Sequence, residues 1–156
     1  MKITLLSIGK CSFPYIKEGI LDYSKRVNHF VKFECVELPD VKKYDHTDQL
    51  KVKESALVIK HCDKSKDFII LLDERGKSMN TKDLTSLIVD KIQFTSKNII
   101  FIVGGAYGSD KSLQDFADMN LSFSAFTFSH QLMRLILAEQ IYRCISLIHH
   151  LPYHHE

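Results

Sequence analysis

Little in this sequence points to a membrane, a metal or an oxidising compartment. No apolar run approaches the ~20 residues that span a bilayer. The opening "MKITLLSIGK" lacks the longer apolar stretch and small-residue cleavage site of a signal peptide, so it predicts a buried strand. The absence of targeting signals favours the cytoplasm. Cys11, Cys35, Cys62 and Cys144 form no C-x-x-C pair, which argues against a zinc knuckle or a redox motif and predicts reduced thiols. The net charge is only +2. A nucleic-acid binder with so small an excess needs a local basic patch, or a partner with positive protein surface of its own. Repeats, low-complexity tracts and linkers are also missing. The 156 residues predict one domain, 1–156, with a substantial core.

What is there is an alternation of short apolar strands and helices. Ile3–Gly9 is an apolar run closed by glycine. The next segment carries Ile16, Ile20, Tyr23 and Val27 at helical spacing. Val31–Leu38 alternates as a strand, and a helix is expected from Leu50 after a polar loop. Phe68–Asp73 reads as a strand ended by a turn at "RGK". Asn80 or Thr81 can cap the helix that carries Leu84, Leu87, Ile88 and Ile92. Asn98–Gly105 is a further buried strand, a short helix begins at Ser109 or Asp110, and "NLSFSAFTF" is a strand running into a loop. Ser129 can cap the last helix, from His130 to about His149. The expected fold is α/β, a mostly parallel sheet with helices on both faces. The last helix is apolar over most of its circumference, which predicts cover from a second copy of the chain or from its own domain.

Three stretches can carry chemistry. "IVGGAYGSD" ends a buried strand, where open parallel sheets bind ligands, and its glycines permit close backbone approach. Its spacing is not that of a dinucleotide fingerprint, and no Walker A motif is present. "FSAFTFSHQ" sets three phenylalanines among small residues, a lining suited to an adenine-like ring and equally to plain core. His130 at a helix start reads as structural, since that position disfavours an imidazolium. Arg134 and Arg143 interrupt an apolar helix, and a buried arginine needs a partner. Each is expected to reach an anion or the rim of a site, unless Glu139 pairs with it. The ending "HHLPYHHE" offers His149, His150, Tyr153, His154 and His155. A cloning remnant, a metal site and a catalytic tail compete there. The histidine run is short and broken for a tag, and its spacing matches no common zinc site.

Taken together, "MKITLLSIGK", "VELPD", "LLDERGK", "IVGGAYG", "LSFSAFTFSHQLMR", "EQIYR" and "PYHHE" resemble the SPOUT-class methyltransferases. The resemblance is specifically to the RlmH family of large-subunit ribosomal RNA pseudouridine N3-methyltransferases. It runs the whole length of the chain and rests on order and spacing rather than on any one motif. It implies a SPOUT-type fold with a C-terminal deep trefoil knot, although knots are rare, and a homodimer. It implies S-adenosylmethionine as methyl donor, lined by Leu72, Gly104, Gly105 and the loop Phe123, Ser124, Ala125, Phe126, Thr127, Phe128. It also implies a catalytic tail of Tyr153, His154 and His155 beside the donor, and no metal.

The reaction implied is in-line transfer to N3. His154 would take the N3 proton, or Tyr153 and His155 would stabilise the developing anion. Arg134 and Arg143 would steady RNA phosphate or the donor's carboxylate. Two positions depart from the family pattern: His155 stands where a fixed cation is usual, and Ser129 where proline is. The small charge excess favours the assembled ribosome over free RNA as substrate. Two other readings compete. One is a non-enzymatic module binding ribosomal RNA, which would lack donor binding; the other is a SPOUT enzyme acting on transfer RNA.

Overall fold

The computed structural model describes residues 1–153. The elements run β1 (Lys2–Ile8), α1 (Pro14–Asn28), β2 (Lys32–Leu38), α2 (Thr47–His61), β3 (Asp67–Ser78), α3 (Thr81–Phe94), β4 (Asn98–Val103), α4 (Lys111–Phe116), β5 (Met119–Ser122) and α5 (His130–Ile148). The five strands pair in the order β2-β1-β4-β3-β5, and every pairing is parallel. Parallel strands need helical crossovers, and those crossovers cover both faces.

Side-chain alternation divides the sheet into two cores. Ile3, Leu5, Ile70, Ile99, Phe101 and Val103 face a layer that includes Leu84 and Ile88 of α3 and Leu137, Ile141 and Ile145 of α5. Leu6, Ile8, Ile69, Leu71, Ile100 and Ile102 face Val58 of α2 and Leu113 of α4. Each such side chain, fully buried, contributes roughly 1.5–3 kcal/mol of transfer free energy. Most of the stabilisation therefore lies at the strands that carry the site.

The helix starts follow local chemistry. Asn80 Oδ1 accepts from the Asp83 amide at 2.9 Å, and Ser129 Oγ accepts from the Leu132 amide at 3.2 Å. Asp110, not Ser109, caps α4 through the Leu113 amide. Helix α2 begins three residues earlier than its apolar pattern, at Thr47, because its first turn is polar and solvated. The "RGK" segment is not a turn. Strand β3 continues through it to Ser78 with a register shift between Leu72 and Lys77. Gly76 allows this by close approach: a Cβ there would lie 2.6 Å from the Asn120 carbonyl carbon of β5.

Its own domain covers much of α5. Leu137, Ala138, Ile141, Cys144 and Ile145 are buried, while Leu132, Met133 and Ile148 are only partly so. Among the described residues, no helix is long and apolar enough to cross a membrane.

Candidate active site

The ends of three adjacent strands build the site. Register sets Val103 of β4 beside Leu72 of β3, and Leu72 beside Leu121 of β5. This apolar row floors a cavity of about 640 Å³, within the range of small-molecule sites. The turn after β4 brings Gly104 and Gly105 to one wall, and the loop after β5 brings Phe123, Ser124, Phe126, Thr127 and Phe128 to the other. Of the residues expected to line a donor site, all but Ala125 meet here.

Short hydrogen bonds hold the walls together. Thr127 Oγ1 donates to Glu74 Oε2 at 2.9 Å, tying the phenylalanine loop to β3. The Phe126 amide donates to Ser124 Oγ, and Ser122 Oγ donates to the Ser124 carbonyl, so the loop is braced from within. Asp73 and Arg75 form a bidentate pair, Arg75 Nε and Nη2 donating at 3.2 and 3.1 Å. Those bonds, led by the Arg75 guanidinium, hold the Asp73 carboxyl below its usual pKa. Beneath the glycine turn lies Glu54 of α2, only 8% exposed. A Cβ on Gly105 would stand 2.3 Å from Glu54 Oε2, so glycine is required for this contact. Burial, with the Asp40 charge adding to it, pushes the Glu54 carboxyl up.

Sequence reasoning missed Asp73, Glu74, Arg75, Tyr107 and Met133 as lining residues. The first three stand in "LLDERGK", whose glycine suggested a turn. His130 also lines the cavity. Burial first, and the Arg134 charge second, pull its imidazole below its ordinary pKa, with Asp40 opposing.

The two arginines of α5 do not meet at the cavity. Arg134 turns inward and is 1% exposed. Its Nη1 donates to the Gly9 carbonyl at 2.9 Å and its Nη2 to the Ile8 carbonyl at 2.5 Å, with Glu37 at 3.4 Å. The guanidinium thus engages the Glu37 carboxylate and the C-terminal end of β1, and does not line the cavity. Arg143 donates through Nε to Glu139 and lies 5.3 Å from the Tyr153 ring centre.

Tyr153 sits apart from the cavity. Helix α5 ends in a left-handed residue, His150 at φ 54°. The His150 amide donates to the Leu147 carbonyl and the Leu151 amide to the Ser146 carbonyl, a Schellman-type stop that reverses the chain. Tyr153 then packs edge-on to Tyr142 at 4.6 Å, and its hydroxyl lies 3.1 Å from that of Tyr23. His149 lies against Phe30 with ring centres 4.5 Å apart. His154 and His155 lie outside the described residues. Among the described residues no group of three or more His, Cys, Asp or Glu is placed to hold a metal.

A family model described as a predicted SPOUT methyltransferase matches residues 1–154. A solved tRNA (m1G37) methyltransferase from Aquifex aeolicus covers 92% of this chain, which spans 70% of that one, with a TM-score of 0.55 and 17% identity. At that identity the likeness speaks for the fold alone. Fold and sequence model together define the chain as a SPOUT methyltransferase.

Curated relatives narrow the class. The ribosomal RNA large subunit methyltransferase H of Parabacteroides distasonis is 38% identical over 158 residues, covering 100% of both chains. Its counterpart in Fusobacterium nucleatum is 40% identical over 154 residues, covering 99% of both. That of Acetivibrio thermocellus is 38% identical over 159 residues, again covering 99% of both. The chain belongs to the ribosomal RNA large subunit methyltransferase H family.

Proposed function

We propose that this chain methylates N3 of a pseudouridine in large-subunit ribosomal RNA, on the assembled ribosome, with S-adenosylmethionine as donor. The observation that carries this reading is the cavity at the ends of β3, β4 and β5. It unites the glycine turn with the phenylalanine loop. Its volume suits a nucleoside-sized ligand. Leu72, Val103, Leu121 and Phe123 offer apolar walls to an adenine ring, and the glycine turn offers backbone polar groups to its edges and to a ribose.

The exposed rim supports an RNA substrate. Tyr107 and Phe126, from opposite walls, are 54% and 80% exposed, and Arg75, paired with Asp73, lines the same cavity. Exposed rings and a guanidinium suit an unstacked base and its phosphate. The substrate class named for the relatives, ribosomal RNA of the large subunit, extends to this chain on that basis.

In the reaction the S–CH3 bond breaks, the N3–CH3 bond forms, and the N3 proton leaves to a base. The spent donor departs as a neutral thioether. The nitrogen is a poor nucleophile until it loses that proton, which His154 takes, or Tyr153 and His155 stabilise the developing anion. Holding both reactants in line supplies much of the rest.

The enzyme works as a homodimer in the cytoplasm. Met133 lines the cavity, whereas Arg143 touches Tyr153. Ten residues of helix separate the two, about 15 Å at 1.5 Å per residue. A tail held there serves the cavity of a second copy more readily than its own. Tyr15 and Leu21 on α1, and Phe13 just before it, leave exposed apolar surface. The trefoil knot belongs to the same reading: after edge strand β5 the chain returns across the sheet, and Arg134 grips the end of β1.

Labelled S-adenosylmethionine tests the proposal, offered with ribosomes lacking the modification and, in parallel, with their deproteinised RNA. Label at a pseudouridine N3 in ribosomes alone is the expected outcome. Label in transfer RNA would replace the substrate. Absence of donor binding would leave a non-enzymatic RNA-binding module.

A further inference from the structure

The aromatic cluster at the far end of α5 is separate from the donor cavity, and the reaction as described does not use it. Three side chains from two helices meet Tyr153. Tyr23 of α1 meets its hydroxyl at 3.1 Å. Tyr142 of α5 packs edge-on at 4.6 Å and itself stands 6.0 Å from Tyr23. The Arg143 guanidinium lies 5.3 Å from the Tyr153 ring centre, and the Arg26 guanidinium lies 5.6 Å from that of Tyr142. Glu139 fixes Arg143 from one turn away, and Asp22 fixes Arg26 at 2.9 Å. The Schellman stop at His150 delivers the chain into this socket. Edge-on rings and cation–π contacts each add attraction beyond burial.

We propose that Tyr23 is a positioning residue for the reaction: with Tyr142 and Arg143 it seats Tyr153 in an aromatic socket, and so aims the residues that follow it. The proposal rests on the catalytic tail described above and assigns Tyr153 to anchoring rather than to chemistry. The ring is held on its face and its edge, and its hydroxyl is engaged by Tyr23. The phenol is also a poor source of anion, since burial and the Tyr23 hydrogen bond push it up to about 12. Within the socket it acts as a hydrogen-bonded peg. An anchor of this kind acts by pre-organisation, which appears in turnover rather than in donor affinity.

A double-mutant cycle on the two hydroxyls provides the test, using Tyr23→Phe, Tyr153→Phe and the pair in the full-length protein. Methyl transfer to ribosomes, donor affinity and thermal stability are measured for each. Either single variant should lower kcat roughly 3–10-fold, the worth of one net hydrogen bond. The double variant should be no worse than either, with KM and affinity for the donor within two-fold of the parent. A silent Tyr23→Phe beside an impaired Tyr153→Phe would overturn the proposal, because the Tyr153 hydroxyl would then act on the chemistry itself. Additive losses would overturn it too, since the hydroxyls would be independent. A parent that methylates no ribosome overturns the functional reading instead. The socket is then judged by carboxypeptidase release of the last residues, which should speed up in Tyr23→Phe and would be unchanged if no socket holds the tail.

Discussion

Replacing Arg134 with methionine separates a structural clamp from an RNA contact. The guanidinium is 1% exposed and donates to two main-chain carbonyls, Gly9 and Ile8. Methionine fills a similar volume and offers no donor. Each stranded buried acceptor costs about 1–3 kcal/mol, so the pair costs about 2–6 kcal/mol. Against this, a guanidinium no longer has to leave water, which returns a few kcal/mol. Glu37 is 39% exposed at its side chain and rehydrates cheaply. The expected net loss is about 2 kcal/mol, or roughly 4–8 °C in Tm for a domain of this size. Arg134→Ala should lose more, because it adds a cavity. Urea unfolding measures the stability. Ribosome binding across a salt series measures the contact, since a lost phosphate partner lowers the salt slope by about one. Unchanged stability with a slope reduced by one would refute the clamp and restore Arg134 to the RNA.

Three further perturbations address other parts of the site. Gly105→Ala places a methyl 2.3 Å from Glu54 Oε2. It should cost about 1–3 kcal/mol as overpacking and weaken donor binding by calorimetry, with Glu54→Ala recovering much of the stability. Glu54 also makes stability depend on pH. Its carboxyl is raised by burial and by Asp40, so the stability it lends is complete below its unfolded pKa of about 4.3. That stability is lost as pH rises through the higher folded value. Glu54→Gln should therefore gain Tm relative to the parent as the buffer moves from pH 4.5 to 8, and a constant difference would count against the shift. At position 155, arginine in place of histidine supplies a charge that does not titrate. The ratio of activity at pH 8 to that at pH 6.5 should rise in His155→Arg, and an unchanged ratio would remove His155 as a cation.

The sheet was legible because its signal is local. Short, mostly apolar runs at Ile3–Ile8, Phe68–Leu72 and Ile99–Val103, set between helical patterns, read as parallel strands buried on both faces, and alternation assigns their side chains to the two cores. The cavity walls were legible for the same reason, since the glycine turn and the phenylalanine loop are each contiguous in sequence. Gly76 misled because glycine has two uses. It permits turns, and it permits a neighbouring backbone to come close, and only the packing of β3 on β5 decides between them. Arg134 was half legible. The sequence shows that a buried arginine needs a partner, but two of its partners are carbonyls, which every residue carries and no side chain announces, and the third, Glu37, stands 97 residues earlier.

Tyr153 combines both difficulties. Beside histidines in "PYHHE" a tyrosine reads as chemistry, because the eye groups what is adjacent. Its hydrogen-bonding partner is Tyr23, 130 residues earlier, on a helix whose apolar spacing explains Tyr23 without reference to any tail. The chain thus uses α5 twice. Its first turns carry His130 and Met133 to the cavity, and its last turns carry Tyr142 and Arg143 to the socket. The ten residues of helix between Met133 and Arg143 set the two about 15 Å apart.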